Sequence, residues 1–200
     1  ISGNTGTDYI NSVAIPTQLS ASEAASVQKN ASSPLDTTDL LVKGGDDDNS
    51  IRTYLKYDLS QLSGKIATAK LYVYGRTLES KNEKKTVANS LYGVEDDLWS
   101  GNSLMWDSDD NQPALGDHLS TIQVKDDGFD SWYVFDATLF VKDQLAGDKT
   151  VSLAIAQDPA LTGYLTQLYN GADSDKRPYL MVETYPPVEL ASVTVSADKT

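Results

Sequence analysis

The clearest alternation of apolar and polar positions runs through residues 51–59, with the period of two that is typical of a half-buried strand. One face of this predicted strand is apolar and suits a core: Leu55, Tyr57 and Leu59. The other face carries two cations around an aromatic ring: Arg52, Tyr54 and Lys56. One interpretation is a sugar ring stacked on Tyr54, with carboxylates held by the two cations. The alternative is an exposed strand whose long polar side chains provide solubility and edge protection.

Similar short patterns, separated by turn-forming residues, recur along the chain and predict about ten strands. These strands cover residues 25–28, 39–43, 51–59, 65–74, 87–94, 121–124, 131–136, 150–156, 164–169 and 179–184. One short helix is predicted over 137–145, with Asp136 as its N-cap and Gly147 at its end. Many short strands with few helical residues predict an all-β fold, an antiparallel β-sandwich of the jelly-roll type.

The same alternation predicts which residues line the core. They are Leu41, Leu55, Tyr57, Leu71, Val73, Trp132, Leu153 and Leu180. Trp99, Trp106 and Trp132 all have apolar neighbours, and we expect core packing for each of them in preference to an exposed sugar platform.

Composition shifts divide the chain into three parts. Residues 1–19 are small and polar and are interpreted as a leading arm or linker, and residues 20–185 form the β-module. Pro186-Pro187 marks a boundary, so that residues 186–200 form a linker and the start of a further strand, which resembles the first strand of an Ig-like repeat. The absence of cysteine excludes disulfides, thiolate metal sites and thiol nucleophiles.

Charge narrows the possible partners. The net charge of −13 argues against nucleic acid and anionic membranes. The charge is uneven, because residues 43–85 hold nine basic and six acidic residues, a balance of +3. The rest of the chain holds seven basic and twenty-three acidic residues, a balance of −16. A locally basic strand region inside an acidic protein favours an anionic ligand. Lys43 and Arg52 flank a hairpin, and we expect antiparallel pairing to bring them into one patch.

Motifs for catalysis are absent from the sequence. His118 is the single histidine and stands in a polar stretch, so we interpret it as a surface residue. There is no nucleophile elbow, phosphate loop or zinc motif, and no pair of carboxylates stands out as a hydrolase site. Two oxygen-rich stretches, 46–49 and 107–111, are of the kind that ligate calcium, although neither has EF-hand spacing. A structural calcium ion is therefore an expectation.

Three ordered blocks of the sequence resemble the DNRLRE domain family, which is also classed as carbohydrate-binding module family ninety-six. The first block is Arg52-Thr53-Tyr54-Leu55-Lys56-Tyr57-Asp58-Leu59, with 69–74 behind it. The second is Tyr92-Gly93-Val94-Glu95-Asp96-Asp97-Leu98-Trp99, which leads to 104–106. The third is Trp132-Tyr133-Val134-Phe135-Asp136-Ala137-Thr138, with 151–154 and a closing 177–182.

The resemblance implies a non-catalytic jelly-roll module of secreted bacterial proteins, often attached to polysaccharide lyases. It implies binding of an acidic polysaccharide such as alginate, with ligand-binding positions at Lys43, Arg52, Tyr54, Lys56 and Asn170. Around Asn170 this chain reads Tyr-Asn-Gly-Ala, and it lacks an arginine that members often carry there. We expect a monomeric module of a larger chain, secreted or at the cell surface. The alternative function is a structural spacer or adhesin module.

Overall fold

The computed structural model describes residues 13–36, 38–45, 48–79, 86–106 and 112–187. Within these ranges the fold consists of eleven strands, one α-helix and a short 3-10 turn at Ser174–Lys176. The strands are β1 (Ile15–Ser20), β2 (Glu23–Gln28), β3 (Leu40–Lys43), β4 (Ile51–Asp58), β5 (Lys65–Glu79), β6 (Thr86–Val94), β7 (His118–Lys125), β8 (Ser131–Asp136), β9 (Thr150–Ala156), β10 (Tyr164–Leu168) and β11 (Tyr179–Tyr185). The helix α1 spans Thr138–Ala146.

The strands form one unclosed antiparallel sheet in the order β1-β11-β5-β10-β3-β4-β9-β6-β7, with β2 added to β4 and β8 added to β5. The sheet folds back on itself, because one apolar cluster takes residues from both of its halves. Leu55, Leu153 and Leu91 come from β4, β9 and β6, while Leu71 and Leu180 come from β5 and β11. The predicted all-β sandwich is confirmed.

Six of the eight predicted core residues are fully buried in this cluster: Leu55, Tyr57, Leu71, Val73, Leu153 and Leu180. The other two predictions are wrong. Leu41 is only half-buried, and Trp132 is 41% exposed. Leu41 pairs with Gln167 of β10 on the outer side of the sheet, and Trp132 pairs with Tyr74 of β5 on that same outer side.

Strand β5 is the longest strand and presents its two faces cleanly. Leu71, Val73 and Thr77 point inward and are buried, whereas Tyr72 and Tyr74 alternate with them and are half-buried on the outer face. Gly75 continues the inner set, at a point where a Cβ atom would lie 2.0 Å from the backbone oxygen of Gln167 in β10. Only glycine fits this close approach of two backbones.

The folded unit begins earlier than the expected boundary at residue 20. β1 starts at Ile15 and pairs along its whole length with β11, from Ile15–Thr184 to Ser20–Tyr179. The alternation in β1 is weak, because only Leu19 is buried among its six residues. Residues 1–12 and 188–200 lie outside the described residues, so the arm and the Ig-like start stay predictions.

Candidate functional site

The outer face of β4 is covered by the protein's own chain. Tyr54 is fully buried there, its hydroxyl donates a 2.8 Å hydrogen bond to the backbone oxygen of Pro113, and its ring meets Trp99 edge-on with centroids 5.9 Å apart. The expectation that Tyr54 offers an exposed stacking surface is therefore wrong. Burial raises the pKa of the Tyr54 hydroxyl, with an opposing effect of Arg52, so the group acts as a neutral donor.

The cover comes from the segment that follows β6. Trp99, Leu104 and Trp106 of this segment are buried and form a second apolar cluster with Tyr54 and its neighbours on β2, β6 and β9. The Trp99 indole also donates a 3.0 Å hydrogen bond to Ser152 Oγ of β9. We call this surface, with Tyr54, Trp99 and Trp106 at its centre, the covered face. Core packing of Trp99 and Trp106 is confirmed.

The two predicted cations of β4 hold this cover in place. The Arg52 guanidinium lies 4.1 Å from the ring centroid of Trp106, and Lys56 Nζ lies 4.5 Å from that of Trp99. Lys56 also donates a hydrogen bond to the backbone oxygen of Trp99. Both cations are half-buried. They act as clamps on two tryptophans, and such contacts contribute about 0.5–2 kcal/mol each, depending on desolvation.

Lys43 is not part of the same patch as Arg52. Its antiparallel partner on β4 is Ile51, so the Lys43 side chain shares a face with Ile51, and Arg52, the next residue, points the other way. The structure instead places Lys43 in an open groove of about 430 Å³. The groove is also lined by Gln28, Asn49, Ile51, Leu78, Gly163 and Leu165.

Asn170 lies elsewhere, where two polar grooves adjoin. It lines both, together with Gly101 and Asn102, and the grooves measure about 390 Å³ and 250 Å³. Arg177 and Tyr179 line the larger groove. The five predicted binding residues therefore occupy three separate places: the covered face, the Lys43 groove and the Asn170 grooves.

A second aromatic surface lies on the outer side of the other layer and has no cover among the described residues. It consists of Tyr72 and Tyr74 of β5, Trp132 of β8 and Tyr179 of β11, and we call it the open face. Trp132 is 41% exposed, as is its neighbour Val134, and the three tyrosines are half-buried. A contiguous apolar patch of this kind on a sheet marks a binding surface more often than scattered apolar residues do.

The four rings of the open face are in direct contact. Tyr72 and Tyr179 stack with their planes 7° apart and their centroids separated by 4.8 Å. Trp132 stands at 62° to Tyr179 and at 53° to Tyr74, with centroids 5.5 and 5.2 Å away. These contacts fix the orientation of each ring.

The cations at the edge of the open face are balanced by acids. Lys176 Nζ lies 5.8 Å from the ring centroid of Tyr74 and pairs with Asp173 at 3.1 Å. Its hydrogen bond to Asp173 raises the pKa of Lys176. Arg76 Nε lies 3.6 Å from Asp130. These two cations are therefore each paired with an acid, in contrast to Lys43. A third cation, the exposed Lys70, lies on the same face of β5, opposite Asp136 of β8.

The remaining candidates are His118 and the two oxygen-rich stretches. His118 is exposed, as predicted, and its Nε2 lies 2.8 Å from Thr121 Oγ1. Among the described residues no three His, Asp or Glu side chains gather into a metal site. Residues 46, 47 and 107–111 of the two calcium candidates lie outside those ranges, so calcium stays a prediction.

Two comparisons with known proteins bear on this geometry. The model of carbohydrate-binding module family 96 matches residues 16–184. A gellan lyase from Bacillus sp is 31% identical over an alignment of 135 residues that covers 65% of this chain and 5% of the lyase. The chain thus spans a small fraction of that relative's length. In the described ranges no helix has the length and apolar character needed to cross a membrane.

The family match covers both sheet layers and the two aromatic faces. The chain belongs to carbohydrate-binding module family 96, and it is a non-catalytic module that binds carbohydrate.

Proposed function

We propose that this module binds an acidic polysaccharide such as alginate, and that it holds a secreted polysaccharide-degrading protein on that polymer. The observation that carries the proposal is the position of Lys43. It is the one predicted basic residue that lines an open groove, and the ion pairs within the described ranges do not include it. An ammonium group with no acidic partner among the described residues, in a protein of net charge −13, is a candidate counterion for a ligand carboxylate.

The lining of the groove matches the two sides of a uronate. Lys43 offers an ammonium group to a carboxylate, and the Gln28 amide, which donates one hydrogen bond to the Asp48 backbone oxygen, keeps its oxygen and a second N–H for sugar hydroxyls. Ile51 and Leu165 supply an apolar floor for the carbon-bound hydrogens of the ring. A mostly apolar pocket with a few placed polar groups is the usual composition of a small-ligand site.

Asn170 provides a second contact region in the proposal. Its amide and that of Asn102 can each donate to and accept from sugar hydroxyls. Arg177 lines the larger of the two grooves and donates a 2.6 Å hydrogen bond from Nε to the backbone oxygen of Gly171. The two terminal nitrogens of Arg177 then remain to bind a ligand carboxylate. Arg177 thus supplies a cation near the position where the family's arginine is absent.

The wider context is also a proposal. The match to a gellan lyase supports a place beside a polysaccharide-degrading domain, outside the cell. We also propose that the module is monomeric. Because each contact is open to water, we expect micromolar or weaker affinity that depends on several contacts at once.

Affinity electrophoresis tests the proposal, with alginate, gellan and a neutral β-glucan in separate gels. Lys43→Gln removes the charge and keeps most of the side-chain volume, and we expect it to weaken alginate binding by about two- to fivefold. The matched control is Lys65→Gln, at the exposed start of β5. Alginate binding by the wild type should also weaken as salt rises, because salt screens exposed charges.

The outcomes separate the candidate functions. Salt-insensitive alginate binding that Lys43→Gln leaves unchanged would contradict the acidic-ligand proposal. Absence of binding to all three polymers would favour the spacer or adhesin alternative.

A further inference from the structure

The open face differs from the Lys43 groove in the ligand chemistry that it suits. It consists of an exposed tryptophan and three half-buried tyrosines, and two cations at its edge, Lys176 and Arg76, are each paired with an aspartate. A surface of this kind attracts a ligand through apolar contact, and a ligand's charge adds little to the attraction.

We propose that the open face is a second carbohydrate site, on which Trp132 stacks against the apolar face of a pyranose ring independently of the charge at Lys43. The inference rests on the carbohydrate binding of the family and not on the acidic-ligand proposal. It predicts recognition of sugar rings as such, whether they are neutral or acidic.

Polar groups at the margin of the open face support a sugar as the occupant. Within the described part of the chain, the hydroxyls of Tyr72, Tyr74 and Tyr179 make no hydrogen bond to the protein, although all three residues are half-buried. Burial and the neighbouring Tyr72 raise the pKa of Tyr179, so its hydroxyl stays protonated as a donor near neutral pH. Unpaired hydroxyls around an aromatic surface match the hydroxyls around a sugar ring.

The open face also continues into a polar groove. Tyr179 contacts Trp132 at a centroid distance of 5.5 Å, and it lines the groove that contains Asn170, Asn102 and Arg177. A chain of sugar rings that stacks on Trp132 can therefore pass Tyr179 and place its next unit against the amide groups. This continuity favours a polymer, which contacts both regions at once and gains avidity from them.

Two further exposed apolar residues define the extent of the open face. Val134 of β8 pairs with Tyr72 of β5 and widens the apolar area beside Trp132. By contrast, Phe129 is 74% exposed in the turn before β8, and no aromatic contact involves it among the described rings. Phe129 thus serves as a matched control, being an exposed aromatic residue outside the open face.

The experiment compares the full chain with its variants Trp132→Ala and Phe129→Ala in affinity gels that contain a neutral β-glucan, a galactomannan or alginate, each at low and high salt. We expect the wild type to bind at least one of these polymers with little dependence on salt. Trp132→Ala should weaken that binding by about tenfold, as the loss of one aromatic stacking contact implies, while Phe129→Ala leaves it unchanged. Tyr179→Leu should also weaken it.

The failures of the two proposals are distinguishable in the same gels. If Lys43→Gln weakens alginate binding and Trp132→Ala does not weaken binding of any polymer, the acidic-ligand proposal holds and the second site is contradicted. If no polymer binds and the wild type self-associates on size exclusion in a manner that Trp132→Ala abolishes, the open face is a contact between copies and the second site is contradicted. Circular dichroism confirms that each variant is folded.

Discussion

Tyr54 and Trp132 both lie on outer faces of the same sandwich, yet Tyr54 is fully buried and Trp132 is 41% exposed. The difference lies in the cover that the rest of the chain provides over each residue. The irregular segment that follows β6 in the chain packs over β4, and its two tryptophans bury Tyr54. Nothing among the described residues covers Trp132. Aromatic residues outside a main core can therefore build a second core or a binding surface, depending on whether the protein supplies its own cover.

This contrast changes the role of the basic stripe on β4. Arg52 and Lys56 contact Trp106 and Trp99 and thus stabilise the covered face. The open face has a basic neighbour too, but Lys176 is balanced by Asp173 and is exposed. We therefore expect substitutions on the covered face to change stability and substitutions on the open face to change binding.

The largest expected effect is that of Trp99→Ala. Removing a buried indole that packs on Tyr54 and hydrogen-bonds Ser152 should lower the free energy of unfolding by about 3–5 kcal/mol. The matched variant Trp132→Ala on the open face should lower it by less than about 1 kcal/mol. Urea denaturation measures both, and equal losses would break the distinction between the two faces.

Removal of one buried tyrosine hydroxyl from the covered face and one from the main core should give the next largest effects on stability. Tyr54→Phe removes the donor to the Pro113 backbone oxygen and should cost about 1–2 kcal/mol of unfolding free energy. Tyr57→Phe, in the main core, removes a buried hydroxyl that has no hydrogen-bond partner among the described residues, so it should raise that free energy by up to about 1 kcal/mol. If Tyr54→Phe leaves the free energy of unfolding unchanged or raises it, the hydroxyl of Tyr54 does not stabilise the covered face.

The cation clamps should give a smaller effect. Arg52→Gln and Lys56→Gln each remove a cation over a tryptophan and should each lower the unfolding free energy by about 0.5–1 kcal/mol. Lys65→Gln, on an exposed residue, serves as the control and should have no measurable effect. Thermal or chemical denaturation measures the stability of the three variants. If all three change the unfolding free energy by the same amount, Arg52 and Lys56 do not stabilise the covered face through the two tryptophans.

The smallest effect concerns Asp97 in the covering segment. One of its carboxylate oxygens is buried without a partner among the described residues, and burial is the main cause that raises the pKa of Asp97 above its ordinary value. The folded state therefore binds this proton more tightly than the unfolded state. The stability contributed by protonated Asp97 is present at acidic pH. It is lost as pH rises from the pKa of Asp97 in the unfolded state through its raised pKa in the folded state. Asp97→Asn should flatten this part of the stability profile and stabilise the protein at neutral pH, which denaturation at several pH values would measure.

Period-two alternation is enough to predict ten of the eleven described strands and most of the core, because most strands have one face against the main cluster. It misses β1, in which only Leu19 is buried. β8 shows where this reasoning fails. Its sequence Ser-Trp-Tyr-Val-Phe-Asp is apolar on both faces, so alternation does not decide between Trp132 and Phe135 as the inward residue. The structure buries Phe135. The placement of Tyr72 and Tyr74 away from the core was the available signal for the open face.

The errors at the predicted binding site have two further physical causes. The burial of Tyr54 depends on the path of an irregular segment. This segment has no hydrophobic periodicity from which its position over β4 could be predicted. The separation of Lys43 from Arg52 depends on strand register, and a shift of one residue moves a side chain to the opposite face. Hairpin connectivity predicts that two strands meet, but it does not specify which residues face each other.

Acrylamide quenching of tryptophan fluorescence tests the contrast between the two faces most directly. The chain has three tryptophans, of which Trp132 is 41% exposed, Trp99 7% and Trp106 5%. We predict that quenching of the wild type arises almost entirely from Trp132 and that a bound glycan protects this residue at both low and high salt. In Trp132→Phe the remaining fluorescence should resist acrylamide with or without the glycan. If the wild type binds a polymer and acrylamide quenches it equally with and without that polymer, the open face is not a binding surface. Strong quenching of the Trp132→Phe variant would contradict the account of one covered and one open aromatic face.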